Sequence, residues 1–200
     1  MKKYMTAPEE IFCDVCNEKR GVNIETLKNV IILAVEIARE GREGRKIGTM
    51  FVVSDAEAVL MLSRNLILDP LFGHPDHLKH VDDPDMRETM KELAQLDGAF
   101  LVADNGVVIS ACRYIDAFSE GINLPLGLGS RHMAAASITR QTNAVAVVVS
   151  ESSIVRVFDE GEIVSEIIPE LWMFARYSSH LAGKVSHIVE EDLTVLAKGD

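Results

Sequence analysis

Between Asn23 and Gly41 the apolar residues Leu27, Val30, Ile31, Ala34 and Ile37 recur at three- and four-residue spacings. That period predicts an amphipathic packing helix, capped by Asn23 and stopped by Gly41. The pattern then changes. Ile47 to Val53 reads as a buried strand, and Ser54-Asp55 is placed to cap a short helix through Leu62. Residues 69 to 85 are polar and Pro-punctuated, which predicts a loop. Pro84 then opens a helix that puts Met86, Met90 and Leu93 on one face.

The second half alternates more quickly. Ala99 to Ala103 and Val107 to Ala111 flank Asp104-Asn105-Gly106, a strong hairpin signal that brings Asp97 and Tyr114 to the same end of two paired strands. A Gly- and Pro-containing loop over 116–129 leads into an Ala-rich helix opening at Ser130, whose small residues Ala134 to Ala136 allow close approach to a sheet. Ala144 to Ser150 is a further apolar strand, ending in Glu151. Val155 to Phe158 and Ile163 to Ile167 surround the turn at Asp159-Glu160-Gly161, and Pro169 opens a last helix through Trp172 and Tyr177. Strands and helices in succession predict an α/β protein with a mixed, twisted central sheet surrounded by helices.

Composition bounds the rest. Two hundred residues, 48% hydrophobic and without a linker-like stretch, suit one domain over 1–200, with 1–24 as an N-terminal extension. A formal charge of −11 argues against nucleic acid as the main partner and leaves any phosphate site dependent on local cations, helix termini and metal ions. No apolar run approaches a membrane span, and the acidic N-terminus lacks a signal peptide's apolar segment, so a cytoplasmic protein without membrane attachment is expected. Three cysteines suit a reducing compartment. Cys13-x-x-Cys16 is either half of a zinc site or a pair of thiols in a loose terminus, and no second Cys pair completes it. Cys112 reads as a small core residue. His74, His77 and His80 could form a metal cluster or lie on a solvated loop; no carboxylate or Cys is placed to fix a metal geometry, which favours the loop.

Chemistry concentrates between Leu96 and Ala136. Gly129, Ser130, Arg131 and His132 open a helix, where unpaired backbone N–H groups and the positive end of the dipole favour an anion such as phosphate. Arg131 and His132 could be ordinary solvated residues, but a cation beside a helix N-terminus is unfavourable unless an anion accompanies it. Asp97, before a strand, could ligate a divalent ion or take a proton from a hydroxyl. No Gly-x-Gly-x-x-Gly or phosphate-loop pattern occurs after the first strand, so neither dinucleotide-binding architecture is supported.

Asp97-Gly98-Ala99, followed about thirty residues later by Gly-Ser-Arg-His-x-Ala-Ala, resembles the paired signature of the diadenylate cyclase family. The likeness extends over residues 25–170, with Gly48 to Val53, the Asp104-Asn105-Gly106 hairpin and Val147 to Glu151 in family order. It implies an enzyme that joins two ATP molecules into cyclic di-AMP and two pyrophosphates, with face-to-face protomers in a homodimer or higher oligomer. Asp97 would activate the 3′-hydroxyl with a divalent ion, Mn2+ or Mg2+, and Glu151 would help hold that metal. Gly98 and Ala99 would let the nucleotide approach the backbone, Gly129, Ser130, Arg131 and His132 would hold phosphates, and Tyr114 would stack on adenine. A half-buried Tyr at a strand end explains Tyr114 equally simply; for Glu151 the alternative, less favoured, is a strand-end carboxylate in water. Met133 stands where the family usually carries a second Arg, so one phosphate-facing cation is missing. A nucleotide-binding sensor without catalysis, or an oligomeric interaction module, are the alternatives.

Overall fold

The computed structural model describes residues 15–16, 18–116, 118 and 120–169, together with the backbone of two strands between 185 and 198. In chain order the elements are helix α1 (Ile24–Glu40), β1 (Thr49–Val53), α2 (Ala56–Met61), β2 (Ser63–Asn65), α3 (Pro84–Leu93), β3 (Ala99–Val102) and β4 (Val108–Ile115). Then come α4 (Ser130–Gln141), β5 (Val145–Val149), β6 (Val155–Asp159), β7 (Glu162–Ile167), β8 (Val185–Glu190) and β9 (Leu193–Lys198). Seven strands form one sheet in the order β2-β4-β3-β1-β5-β6-β7, and β8 pairs with β9 separately. β1 and β3 are parallel; the other pairings within the sheet are antiparallel, so the sheet is mixed as expected.

The continuous apolar runs form the centre of this sheet because both faces are covered. Phe51, Val53, Phe100, Val102, Val145 and Val147 face one core with α1, while Met50, Val52, Leu101, Ala146 and Val148 face the other with α4. Phe51 and Phe100 stack across β1 and β3 with centroids 5.1 Å apart. α1 follows its sequence pattern: Asn23 Oδ1 accepts from Thr26 N at 3.0 Å, and Gly41, at φ +57, donates its N–H to Ile37 O. α3 is capped by Asp83, which accepts from Met86 N, and it is tied to α1 through Glu36, which pairs with Arg87 at 2.8 Å and Lys91 at 3.2 Å.

Several expectations need correction. Asp55 does not cap α2 with its side chain; it adopts a left-handed conformation and accepts instead from Asn143 N at 2.8 Å, while Ser54 donates to Asp104 at 2.9 Å. Both residues serve tertiary links between neighbouring loops. Val15 and Cys16 belong to the main core, so the terminus is not loose where it is described; Cys13 lies outside the described residues. Among the described residues no group of three or more His, Cys, Asp or Glu could hold a metal, so the histidines of the 69–85 loop form no cluster. The strand after the hairpin runs on to Ile115, and Ser63–Asn65 adds an edge strand to it that the sequence did not announce. The helix expected from Pro169 through Tyr177 lies, beyond Pro169, outside the described residues. Among the described residues no helix is long and apolar enough to cross a membrane.

Candidate active site

A cavity of ≈ 450 Å³ opens where the start of β3, the end of β4 and the first turns of α4 meet. That is within the size range of small-molecule sites. Its floor exists because the backbones of β3 and β4 come unusually close. Gly98 has φ +109, and a Cβ there would stand 2.6 Å from Cys112 C and 2.8 Å from Arg113 N. Only glycine fits. Ala99 continues the floor with a side chain too small to fill it, and Asp97 is left on the rim, its side chain 81% exposed.

The opposite wall is α4. Gly129 is its N-cap, with extended backbone and no capping side chain, so the first-turn N–H groups are left without a side-chain acceptor. Ser130 and Arg131 line the cavity, and one turn further Met133 and Ala134 do so too. Arg131 reaches out of the helix: Nη2 lies 3.1 Å from Asp97 Oδ1, and Nη1 lies 3.5 Å from Glu151 Oε1. A cation at the positive end of a helix is unfavourable alone. Here two carboxylates compensate it. Gly48 keeps that crossing open, since a Cβ on it would approach Arg131 Nη1 to 2.7 Å and Glu151 Cγ to 3.2 Å.

The far end of the cavity is apolar and aromatic. Tyr114 is 43% exposed, and its cross-strand neighbour Arg64 places Cζ 4.3 Å from the ring centroid, so one aromatic face is covered by a cation. Leu66 and Ile115 line the cavity beside it. Arg113, also in the lining, is pinned to β2: Nε donates to Ser63 Oγ at 2.9 Å, Nη1 to Asn65 Oδ1 at 3.0 Å and Nη2 to Ser63 O at 3.0 Å.

Of the residues expected from sequence, Asp97, Gly98, Ala99, Tyr114, Ser130 and Arg131 thus surround one cavity, with Gly129 at the helix entrance and Glu151 joined through Arg131. His132 is elsewhere. Its side chain turns from the cavity into the space between α4 and the sheet, 7% exposed, against Phe158 and Arg156. Burial, then Arg156 and Arg131, push its imidazole below the usual histidine range. Gly48, Arg64, Leu66 and Arg113 were not anticipated as site residues; the one sequence signal among them is a glycine immediately before a buried strand.

A divalent ion fits this donor set in part. Asp97 and Glu151 offer hard carboxylate oxygens, and both already converge on one cationic group, the Arg131 guanidinium. Two carboxylates make an incomplete shell, of the kind that Mg2+ completes with water and substrate phosphates.

The family described as DAC, DisA bacterial checkpoint controller nucleotide-binding, matches residues 36–163. A diadenylate cyclase of Methanocaldococcus jannaschii is 50% identical over 145 residues, covering 72% of this chain and 46% of that protein. A diadenylate cyclase of Haloferax volcanii is 42% identical over 147 residues, covering 73% of this chain and 54% of that protein. The chain therefore spans about half the length of these relatives. A hypothetical membrane spanning protein from Bacillus cereus shares the fold, with a TM-score of 0.52 at 21% identity over 70% of this chain and 62% of that one. With the family matching most of the sheet and the whole of the cavity wall, the chain belongs to the diadenylate cyclase (DAC) family.

Proposed function

We propose that this chain condenses two ATP molecules into cyclic di-AMP and two pyrophosphates, using Mg2+ or Mn2+, with two protomers meeting face to face in the cytoplasm. The observation that carries this is the convergence of Asp97 and Glu151 on Arg131, beside the uncapped N-terminus of α4 and at the mouth of a nucleotide-sized cavity.

In this reading adenine stacks on the face of Tyr114 that Arg64 leaves open, and Gly98 and Ala99 allow the sugar close to the backbone. The first-turn N–H groups of α4, Ser130 and Arg131 hold the phosphates, with His132 buttressing the turn from behind. Asp97 and Glu151 would hold the metal, which would supply positive charge to activate the 3′-hydroxyl and offset the charge of the phosphates. Asp97 orients that hydroxyl and draws its proton as the oxygen attacks the α-phosphorus of the opposite ATP. The bond to the pyrophosphate oxygen breaks as the new one forms. Each protomer supplies one nucleophile and one target, so two such transfers close the ring.

A sensor that binds ATP or cyclic di-AMP without turnover is the second reading. Met133 favours it, because a thioether lines the cavity where a phosphate-binding cation is usual in the family. Incubation with ATP and Mn2+ or Mg2+, followed by mass analysis, separates the two. Cyclic di-AMP formation supports the enzyme, and bound, unconverted ATP rejects it. A dilution series with light scattering tests the paired protomers: activity per protomer should fall as dimers dissociate, and constant activity in a purely monomeric sample would reject the two-site reaction.

A further inference from the structure

We propose that Arg156 is a positioning residue that fixes the tautomer of His132, so that the first turn of α4 carries a neutral imidazole protonated at Nδ1. Arg156 stands on β6, and its Nη1 lies 3.2 Å from His132 Nε2. A guanidinium has donors only, so Nε2 must accept and the single ring proton must sit on Nδ1. The contact is held from both sides. Arg156 Nε is fixed to Glu166 Oε1 on β7 at 2.5 Å, with the Arg156 side chain only 11% exposed, and the imidazole rests on Phe158 with ring centroids 6.1 Å apart.

The balance of its surroundings disfavours a second proton. Burial disfavours the charged ring, Arg156 and Arg131 add to that effect, and Glu166 opposes it from behind Arg156. The other strands packed against α4, β1 and β5, carry no charged residue. Nδ1 is itself buried and, among the described residues, has no hydrogen-bond partner. A buried N–H is rarely left so without cause. The tautomer follows from this geometry alone; that the turn His132 buttresses holds phosphate rests on the proposed function.

Long-range proton–nitrogen correlation NMR on the 15N-labelled full chain reads the tautomer directly, with His132→Gln assigning the signal. Free imidazole favours the proton on Nε2, so a pyrrole-type Nδ1 near neutral pH in the wild-type protein is the expected and diagnostic result. A protonated Nε2 in the wild type overturns the proposal, whether or not any variant folds. Arg156→Met should move the proton to Nε2 and shift the titration midpoint of His132 upward, whereas Arg156→Lys, which keeps a donor-only group, should retain the Nδ1 form. An unchanged tautomer and midpoint in Arg156→Met would equally overturn it. ATP affinity by calorimetry tests the dependent step: loss in Arg156→Met with recovery in Arg156→Lys supports His132 as the support of a phosphate-binding turn. A shifted tautomer with undiminished affinity rejects that supporting role while leaving the tautomer assignment standing.

Discussion

Gly98 and Cys112 meet backbone to backbone across β3 and β4, both in left-handed conformation, at φ +109 and φ +54. Two steps along β3, from Ala99 to Leu101, match three along β4, from Arg113 to Ser110, so β4 carries an extra residue there. Asp69 satisfies what the ladder leaves open, accepting from Ala111 N at 3.2 Å and Ser110 Oγ at 2.6 Å. The bulge re-aims the end of β4, and that is what brings Arg113 and Tyr114 over the same cavity as Asp97.

Gly98→Ala should therefore damage both stability and the site. The new methyl would overlap the Cys112 backbone and force an unfavourable φ, a loss of at least about 2 kcal/mol. For a chain of this size that lowers Tm by roughly 5 °C or more. Calorimetry showing an unchanged Tm would mean that the bulge relaxes freely.

Asp97→Asn keeps the shape of the rim but removes the charge that faces Arg131. Under the proposed function, turnover should fall by at least about a hundredfold, while ATP affinity changes little. Product formed at near wild-type rate would remove Asp97 from the chemistry.

Arg131→Gln frees two carboxylates from their shared guanidinium. Without nucleotide, Mn2+ should bind a few-fold more tightly, because such exposed pairs are worth only about 0.2–1 kcal/mol each. ATP should bind more weakly, and AMP much less so. Equal loss for ATP and AMP would place Arg131 away from the phosphate tail.

Met133 lines the cavity one turn into α4, so Met133→Arg introduces a cation facing the ligand. A charge-assisted hydrogen bond of about 1.5–3 kcal/mol would tighten triphosphate binding roughly tenfold or more. Unaltered affinity by calorimetry would show that phosphates do not pass that side chain.

The depressed imidazole of His132 makes stability depend on pH. Its folded pKa lies below the unfolded value of about 6.5, so the unfolded chain takes the proton first. The contribution is complete above about pH 6.5 and declines as pH falls below it toward the folded pKa. Denaturant midpoints measured across that window should slope less in His132→Gln than in the wild type; identical slopes would assign the dependence to other groups.

The sequence by itself determined the central strands, the hairpin, the cap of α1, the start of α3 at Pro84 and the two motifs that surround the cavity, because each is written in neighbouring residues. Continuous apolar runs have one economical place, the middle of a covered sheet, and Asp104-Asn105-Gly106 and Asn23 act on backbone groups within a few positions. Which residues share a cavity was legible only where the hairpin and the Gly-rich helix entrance fix it. The tertiary structure decided what depends on contacts distant along the chain. Asp55 gave up its cap for Asn143, the edge strand at Ser63–Asn65 formed because the bulged end of β4 offers it partners, and Gly48 matters only because Arg131 crosses above it. His132 is the clearest case: adjacent to Arg131 in sequence, it points about a third of a turn round the helix, so one side chain meets Asp97 at the solvent rim and the other meets Arg156 inside.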